Sequence, residues 1–385
     1  MLRRTFTKAL VAGAALCAAG AAFAEEPLKV GLIFPMTGPF ASTGRQLEAG
    51  AKLWVAQHGD TVAGRKIELI IRDDTGVADI TKRIAQELIT NDKVAVLGGF
   101  GLTPTAFAVA PLVTQAKIPA ITMAAATASI TAQSPYMTRT SYSTSQVSSP
   151  IAEWAIKNGF KTAITMVSDY GPGVDSETAF ATKFKELGGT IKANLRVPVV
   201  NPDFSAYLQR VSDEKPDMLF TFVPSGVGVA LMNQFVERGL DKAGVKIVAE
   251  GGIVDDDNLP SMSDAVIGIV TGYHYSAAHD SPENKAFQAA FSKANPNLRG
   301  NNMALGAYDG MALIYKALEK TGGKSDGPTL MEAMKGMSWT SPRGPISIDP
   351  ETHDIVQNVY MRETKKVNGQ LYNVEFATIP AAKAR

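Results

Sequence analysis

The chain has 385 residues, of which 45% are hydrophobic and 19% are charged, and its formal net charge is +1. This length favours two domains, and the near-neutral charge gives no electrostatic reason to expect binding to nucleic acid or to an anionic membrane. With four histidines, one cysteine and no HExxH pattern, no metal site and no cofactor is expected.

Residues 1–24 have the features of an export signal. A basic start that contains Arg3 and Arg4 precedes a run of small apolar residues, and residues 22–24 (AFA) have the form of a cleavage site. The paired arginines leave the general and the twin-arginine export routes both open. Cleavage removes three basic residues, no acid and Cys17, so the formal charge falls from +1 to −2 and no cysteine remains. We expect an exported monomer. No disulfide is expected because no cysteine remains, and no membrane-spanning segment is expected because no later apolar run is long enough.

Strand-like and helix-like patterns alternate in the first part of the chain. Several of the strand patterns end in glycine- or small-residue loops, an order typical of a parallel sheet covered by helices. The predicted strands are 28–35, 65–74, 94–101 and 118–127, and the predicted helices are 42–59, 77–92 and 103–117.

The alternation starts again after the polar stretch 141–150, which we interpret as a crossover between two similar halves. The strand and loop at 161–173 have the same shape as the first strand and its loop. In the tail, Asn368-Gly369 predicts a hairpin turn. The predicted strands of this half are 161–173, 190–199, 216–226, 245–252 and 265–276, and the predicted helices are 151–159, 179–189, 204–215, 228–240, 282–296 and 303–323.

Loops of small residues follow these strands in a characteristic order. The segments are GLIFPMTGPFASTG from residue 31, VAVLGGFGLTPTAFAVAPL from 94, IPAITMAAAT from 118, YMTRTSYSTSQ from 136, VSDYGPG from 167 and GAYDGMALIYKAL from 306. Taken together, they resemble the periplasmic solute-binding proteins of ABC importers, of the leucine/isoleucine/valine-binding type. The resemblance extends over essentially the whole mature chain.

The resemblance implies an α/β fold of two Rossmann-like lobes, each a parallel sheet flanked by helices, joined by three crossovers with the ligand in the cleft. Residues 27–143 and 276–351 would form lobe 1, and residues 144–275 and 352–383 would form lobe 2. It also implies a periplasmic location, a small-molecule ligand, the membrane permease of an ABC importer as partner, and no catalysis.

Several residues of lobe 1 are candidates for holding a carboxylate. Helix N-termini bind anions because their first N–H groups lack partners within the helix. Thr103 stands at such a start, two residues after Gly101, and the resemblance implies that its hydroxyl and the adjacent amides hold the ligand carboxylate. The backbone of Ala125 and the hydroxyl of Thr127 would complete this site. Both threonines also suit the role of helix caps, which use the same atoms.

Other candidate residues bear on the chemical class of the ligand. Relatives often have a larger side chain at Thr43, so the cleft here has more room, and Tyr170 would close over the ligand from lobe 2. The acid with which amino-acid binders of this type hold the ligand ammonium falls on Glu250 or Gly251. If it is Gly251, an α-amino acid is disfavoured because a buried unpaired cation is very costly. The remaining candidates are Phe100, Phe222, Ser225 and Tyr275.

These features favour an aromatic carboxylate as the ligand. The alternatives are a branched-chain or other aliphatic amino acid, and a non-transport sensor of amides or other small molecules with the same fold. An enzyme is disfavoured because the sequence has no GxSxG elbow, and residues 322–325 (GGKS) lack the first glycine of a P-loop.

Overall fold

The computed structural model describes residues 26–383. The predicted export signal at residues 1–24 lies outside this range. Between residues 26 and 383, no helix is both long enough and apolar enough to cross a membrane.

The first sheet has six strands in the order β2-β3-β1-β4-β5-β6. All neighbouring strands are parallel except β2 and β3. The order of the strands reverses between β1 and β4, and ligands of open α/β sheets bind at the carboxyl ends of strands at such a point. The strands are β1 (Leu28–Phe34), β2 (Thr61–Val62), β3 (Arg65–Asp73), β4 (Val96–Gly99), β5 (Ala120–Thr122) and β6 (Met137–Arg139).

The second sheet has nine strands, of which β7 to β11 are parallel. They are β7 (Thr162–Ser168), β8 (Thr190–Val197), β9 (Met218–Phe222), β10 (Lys246–Glu250), β11 (Val270–Tyr273), β12 (Ser338–Ser341), β13 (Gly344–Ile348), β14 (Ile355–Val367) and β15 (Gln370–Ala382). The order is β12-β13-β14-β11-β10-β9-β7-β8, and β15 pairs with β14. Asn368 and Gly369 form the β14–β15 turn with φ of 50° and 81°, so the predicted hairpin is confirmed.

Ten α-helices in residues 26–383 cover the two sheets. They are α1 (Ala41–His58), α2 (Ala78–Thr90), α3 (Thr103–Ala116), α4 (Thr144–Lys157), α5 (Gly171–Glu186), α6 (Ser205–Glu214), α7 (Gly228–Glu237), α8 (Pro282–Ala294), α9 (Asn302–Thr321) and α10 (Gly327–Met334). The predicted fold class, two lobes of mainly parallel sheet flanked by helices, is confirmed.

Helix α9 packs on α1 in the first lobe, although the second sheet separates them in the sequence. Leu47 and Ala51 of α1 lie in the same buried cluster as Met311 and Ile314 of α9. The helices approach closely because Gly50 has no side chain: a Cβ there would lie 1.9 Å from the carbonyl oxygen of Ala304.

The boundary between the lobes differs from the prediction at residues 338–348. The sequence predicts residues 276–351 in lobe 1, but β12 and β13 extend the second sheet because β13 pairs with β14. The hairpin still reaches the first lobe, since the side chain of Ile348 lies in the core beside β1.

Arg343, in the β12–β13 turn, ties together the segments that connect the lobes. Its buried guanidinium donates to the carbonyl oxygens of Thr140 (2.7 Å) and Ser141 (3.2 Å), which follow β6 at the first crossover. The same group forms an ion pair of 2.6 Å with Asp309 of α9. The crossovers are thereby fixed to the first lobe by one buried cation.

Candidate functional site

A cavity lies between the lobes where the carboxyl ends of strands in the two sheets face each other. Its free space, including the opening to solvent, is about 490 Å³. Because β1 and β4 are neighbours, the loops that follow them bring Thr43 and Thr103 to the same wall. Gly101 and Ala125 line this wall as well.

Two helices from different lobes begin at the cavity in the same way. Helix α3 starts with Thr103-Pro104 and α5 with Gly171-Pro172, and the side chain of the residue before each helix makes no capping hydrogen bond. Because proline has no N–H, the amides of the first and third residues are the ones left without helical partners at each start, and the helix dipole adds partial positive charge there. This end of the cavity is therefore suited to a carboxylate.

The two helix starts are in close contact. The hydroxyl oxygens of Thr103 and Thr127 share a hydrogen bond of 2.8 Å. A Cβ on Gly171 would lie 2.7 Å from the hydroxyl oxygen of Thr127, so a side chain at this position would require Thr127 to move. The backbone of Thr127 is held in turn by Arg139, which donates to its carbonyl oxygen at 2.7 Å and is paired with Asp354.

Aromatic rings form most of the wall contributed by the second lobe and the first crossover. Tyr170 and Phe222 line the cavity with their ring centroids 6.1 Å apart. Tyr142 and Tyr273 also line it, in an edge-to-face pair with centroids 5.2 Å apart. Sequence reasoning missed these two tyrosines, and it placed the corresponding aromatic at Tyr275.

Glu250 lies behind the tyrosine wall. Its carboxylate accepts hydrogen bonds from the hydroxyls of Ser148 and Ser176, and the Tyr142 hydroxyl lies 3.5 Å away. Burial raises the pKa of this carboxyl group to about 8. Glu250 is thus engaged by neighbouring hydroxyls and is separated from the cavity.

Gly251, the other position considered for an acid, has no room for a side chain. A Cβ there would lie 2.3 Å from the guanidinium of Arg362 and 2.4 Å from the ring of Tyr273. The neighbouring Gly252 lines the cavity in its place. Of residues 26–383, those that line this cavity include no Asp, Glu, His, Lys or Arg, so a ligand ammonium would meet no opposite charge there.

Ser225 lines the cavity. It lies near the N-terminus of α1, because a Cβ built on the adjacent Gly226 would lie 3.9 Å from the hydroxyl oxygen of Ser42. The Ser225 hydroxyl donates to Asp255 at 3.1 Å. Asp255 is fully buried and accepts two hydrogen bonds of 3.1 Å from the amide of Asn301. Burial raises the pKa of Asp255 to about 6.

Four predicted site residues do not line the cavity. Phe100 has φ of 64°, and its side chain packs in the first lobe's core against residues such as Val109. Tyr275 is buried beside Phe287 and donates to Asn284. Thr127 lies behind Thr103, and Gly251 lies behind Tyr273. The structure brings together the others: Thr43, Gly101, Thr103, Ala125, Tyr170, Phe222 and Ser225.

Comparison with known proteins agrees with this geometry. The model of the periplasmic binding protein family matches residues 27–370. The Leu/Ile/Val-binding protein homolog 6 of Brucella melitensis is 43% identical over 365 residues, which cover 94% of this chain and 93% of that protein.

Two solved structures of ABC transporter solute-binding proteins are also similar. One, from Rhodopseudomonas palustris BisB5 in complex with 3,4-dihydroxybenzoic acid, is 56% identical with a TM-score of 0.92 over 94% of this chain and 99% of that one. The other, from R. palustris HaA2 in complex with p-hydroxybenzoic acid, is 43% identical with a TM-score of 0.90 over 93% and 98%.

Proposed function

This chain belongs to the periplasmic binding protein family, and on that premise we propose that it captures an aromatic carboxylate between its lobes for an ABC importer. The protein acts by binding and release, without catalysis. It is exported to the periplasm by the signal at residues 1–24, and its partner is a membrane permease.

The observation that carries this proposal is the uneven distribution of polarity in the cavity. One end presents the uncapped starts of α3 and α5, which stabilise an anion through backbone amides. The walls are largely aromatic, with Tyr142, Tyr170, Phe222 and Tyr273 around the free space. Stacked or edge-on rings contribute about 0.5–1.5 kcal/mol per pair beyond the burial of their surface.

In this proposal the carboxylate lies against the Thr103 hydroxyl and the first amides of α3 and α5, with the Ala125 backbone beside it. Thr127 acts through its hydrogen bond to Thr103. Tyr170 and Phe222 come from the second lobe, so they reach the ligand only when the lobes close. Ligand then shifts the population toward the closed form because it binds that form better.

A branched-chain amino acid is the second candidate, since a relative with 43% identity is named a Leu/Ile/Val-binding protein homolog. The cavity argues against it, because Gly251 cannot carry an acid and the carboxylate of Glu250 is occupied by two serine hydroxyls. An unpaired ammonium would then be buried at a cost of several kcal/mol.

The proposal is tested by thermal unfolding of the mature chain after it has been unfolded and refolded to remove bound ligand. The panel contains benzoate, 4-hydroxybenzoate, 3,4-dihydroxybenzoate, leucine, isoleucine and an aliphatic acid. A ligand at about 1,000 times its dissociation constant adds about 4 kcal/mol to the free energy of unfolding. We expect the aromatic acids alone to raise the melting temperature. If leucine raises it and no aromatic acid does, a branched-chain amino acid becomes the favoured ligand.

A further inference from the structure

Ser225 is a polar side chain of the cavity that contacts different elements from those at the two helix starts. The Gly171–Thr127 contact marks the end where α3 and α5 begin. Ser225 lies by the N-terminus of α1, close to Ser42, and Met303 of α9 lines the cavity on the same side as Asn301. Ser225 therefore offers a hydroxyl to a ligand whose carboxylate occupies the first end.

The hydrogen bonds around Ser225 fix the direction in which its hydroxyl points. An ionised carboxylate only accepts hydrogen bonds, and Asp255 is the acceptor for both the Ser225 hydroxyl and the Asn301 amide. The Ser225 hydrogen is thus used by Asp255, whereas the lone pairs of its oxygen stay available. A hydroxyl with this orientation accepts a hydrogen bond from a ligand, and it has no hydrogen left to donate to the ligand.

We propose that Ser225, oriented by Asp255 and Asn301, recognises a hydroxyl group on the ring of the ligand. This inference rests on the proposed function, and it narrows the ligand class to hydroxylated aromatic acids. A phenolic hydroxyl is the group of such a ligand that supplies the donor. An aromatic acid without a hydroxyl leaves the Ser225 oxygen without a partner at this position.

The same contacts connect recognition to closure. Ser225 and Asp255 belong to the second lobe, whereas Asn301 caps α9 in the first lobe through hydrogen bonds to the amides of Met303 (3.0 Å) and Ala304 (3.2 Å). The Asp255–Asn301 contact therefore forms between the lobes. Closing the cleft completes the hydrogen-bond set that orients Ser225, so hydroxyl recognition belongs to the closed form.

The test compares dissociation constants of 4-hydroxybenzoate, 3,4-dihydroxybenzoate and benzoate, measured by titration calorimetry, for the mature chain and for S225A. We expect S225A to weaken the two hydroxylated acids about three- to tenfold, the effect of one hydrogen bond, and to change benzoate less than twofold. S225T, which retains a hydroxyl, restores part of the difference. S261A is the matched control, because it loses an exposed hydroxyl that donates to the carbonyl oxygen of Asn258 and does not line the cavity, and it leaves all three constants unchanged.

Equal weakening of all three acids by S225A would overturn the inference and leave Ser225 with a structural role. The same discrimination appearing in S261A would also overturn it. If the unaltered chain binds none of the three acids, the proposed function fails, and that result is distinct from failure of the Ser225 assignment. Melting temperatures of the ligand-free variants confirm that each is folded.

Discussion

The hydroxyl oxygens of Thr103 and Thr127 lie 2.8 Å apart, although the two residues are separated by 24 positions in the sequence. Either hydroxyl can be the donor within this pair; when Thr127 donates, the hydrogen of the Thr103 hydroxyl, which lines the cavity, is left for an acceptor there. The pair thus behaves as a single donor, supported by the first amides of α3.

Replacing Thr103 with alanine removes that donor and the partner of Thr127. We expect carboxylate ligands to bind about 1–3 kcal/mol more weakly, because hydrogen bonds to charged groups are the stronger ones. Calorimetric titration of T103A measures this change. The control is T90A, which loses an exposed hydroxyl bonded only within α2 and to its neighbour Asn91. Equal affinity of T103A and the unaltered chain would remove Thr103 from the site.

A methyl group at Gly171 should prevent full closure. In the closed arrangement a Cβ there lies 2.7 Å from the hydroxyl oxygen of Thr127 and 3.4 Å from a methyl carbon of Thr103. We expect G171A to weaken every ligand, whatever its ring substituents, and to leave the ligand-free melting temperature nearly unchanged. Small-angle scattering with saturating ligand measures closure directly. A G171A chain that contracts on ligand addition as much as the unaltered chain would contradict this prediction.

The protonation of Glu250 predicts how stability depends on pH. Burial raises its pKa in the folded chain to about 8, whereas an unfolded glutamate has a pKa of about 4.3. Between these values the folded chain holds a proton that the unfolded chain has lost. The free energy of unfolding therefore falls as pH rises from about 4 to about 8, and the loss is complete above the folded pKa.

The glutamine variant E250Q has a neutral amide at this position and cannot lose the proton. We expect its melting temperature to decline less than that of the unaltered chain between about pH 5 and pH 9. Ser148 and Ser176 can still donate to the amide oxygen, so the packing is preserved. Parallel melting curves for the two proteins over this range would show that Glu250 does not titrate there.

The ion pair of Arg343 and Asp309 predicts a large loss of stability when one partner is removed. Asp309 also accepts from Ser341 at 2.8 Å and from the Trp339 indole at 3.2 Å. D309N leaves a buried cation without its counter-charge, which costs about 3–5 kcal/mol. Urea denaturation measures the change.

The control for D309N is E87Q, which breaks an exposed ion pair between Arg83 and Glu87 on α2. Exposed pairs contribute about 0–1 kcal/mol, so E87Q should unfold at nearly the same urea concentration as the unaltered chain. Similar losses of unfolding free energy in both variants would show that burial does not increase the contribution of the Arg343–Asp309 ion pair to stability.

Much of the fold was predictable because the alternating strand and helix patterns can be recognised in short stretches of sequence. The segments not predicted depend on distant partners: β6 has three residues, and β12 joins the second sheet through β13, which pairs with β14. The polar stretch 141–150 is predicted as a crossover, and its first residues lead into α4, which starts at Thr144 with a capping box between Ser143 and Gln146. That pattern was a usable signal.

The site residues were predictable where they lie in a loop that follows a strand. They were less predictable where the direction of a side chain decides whether it lines the cavity. Thr103 and Gly101 line the cavity because they follow a strand at the switch point of the sheet. Tyr273 lines it and Tyr275 does not, because β11 ends at Tyr273 and the alternation of strand faces ends with it. Phe100 points into the core because its backbone is left-handed, which a sequence pattern does not reveal.

The uncapped starts of α3 and α5 have a consequence for the empty protein. Both helix ends carry partial positive charge, and closure brings them together across the cavity. Without an anion between them, like charges oppose the approach, so the backbone itself resists premature closing. Under the proposed function, the empty protein would then occupy the closed form less often than the loaded protein.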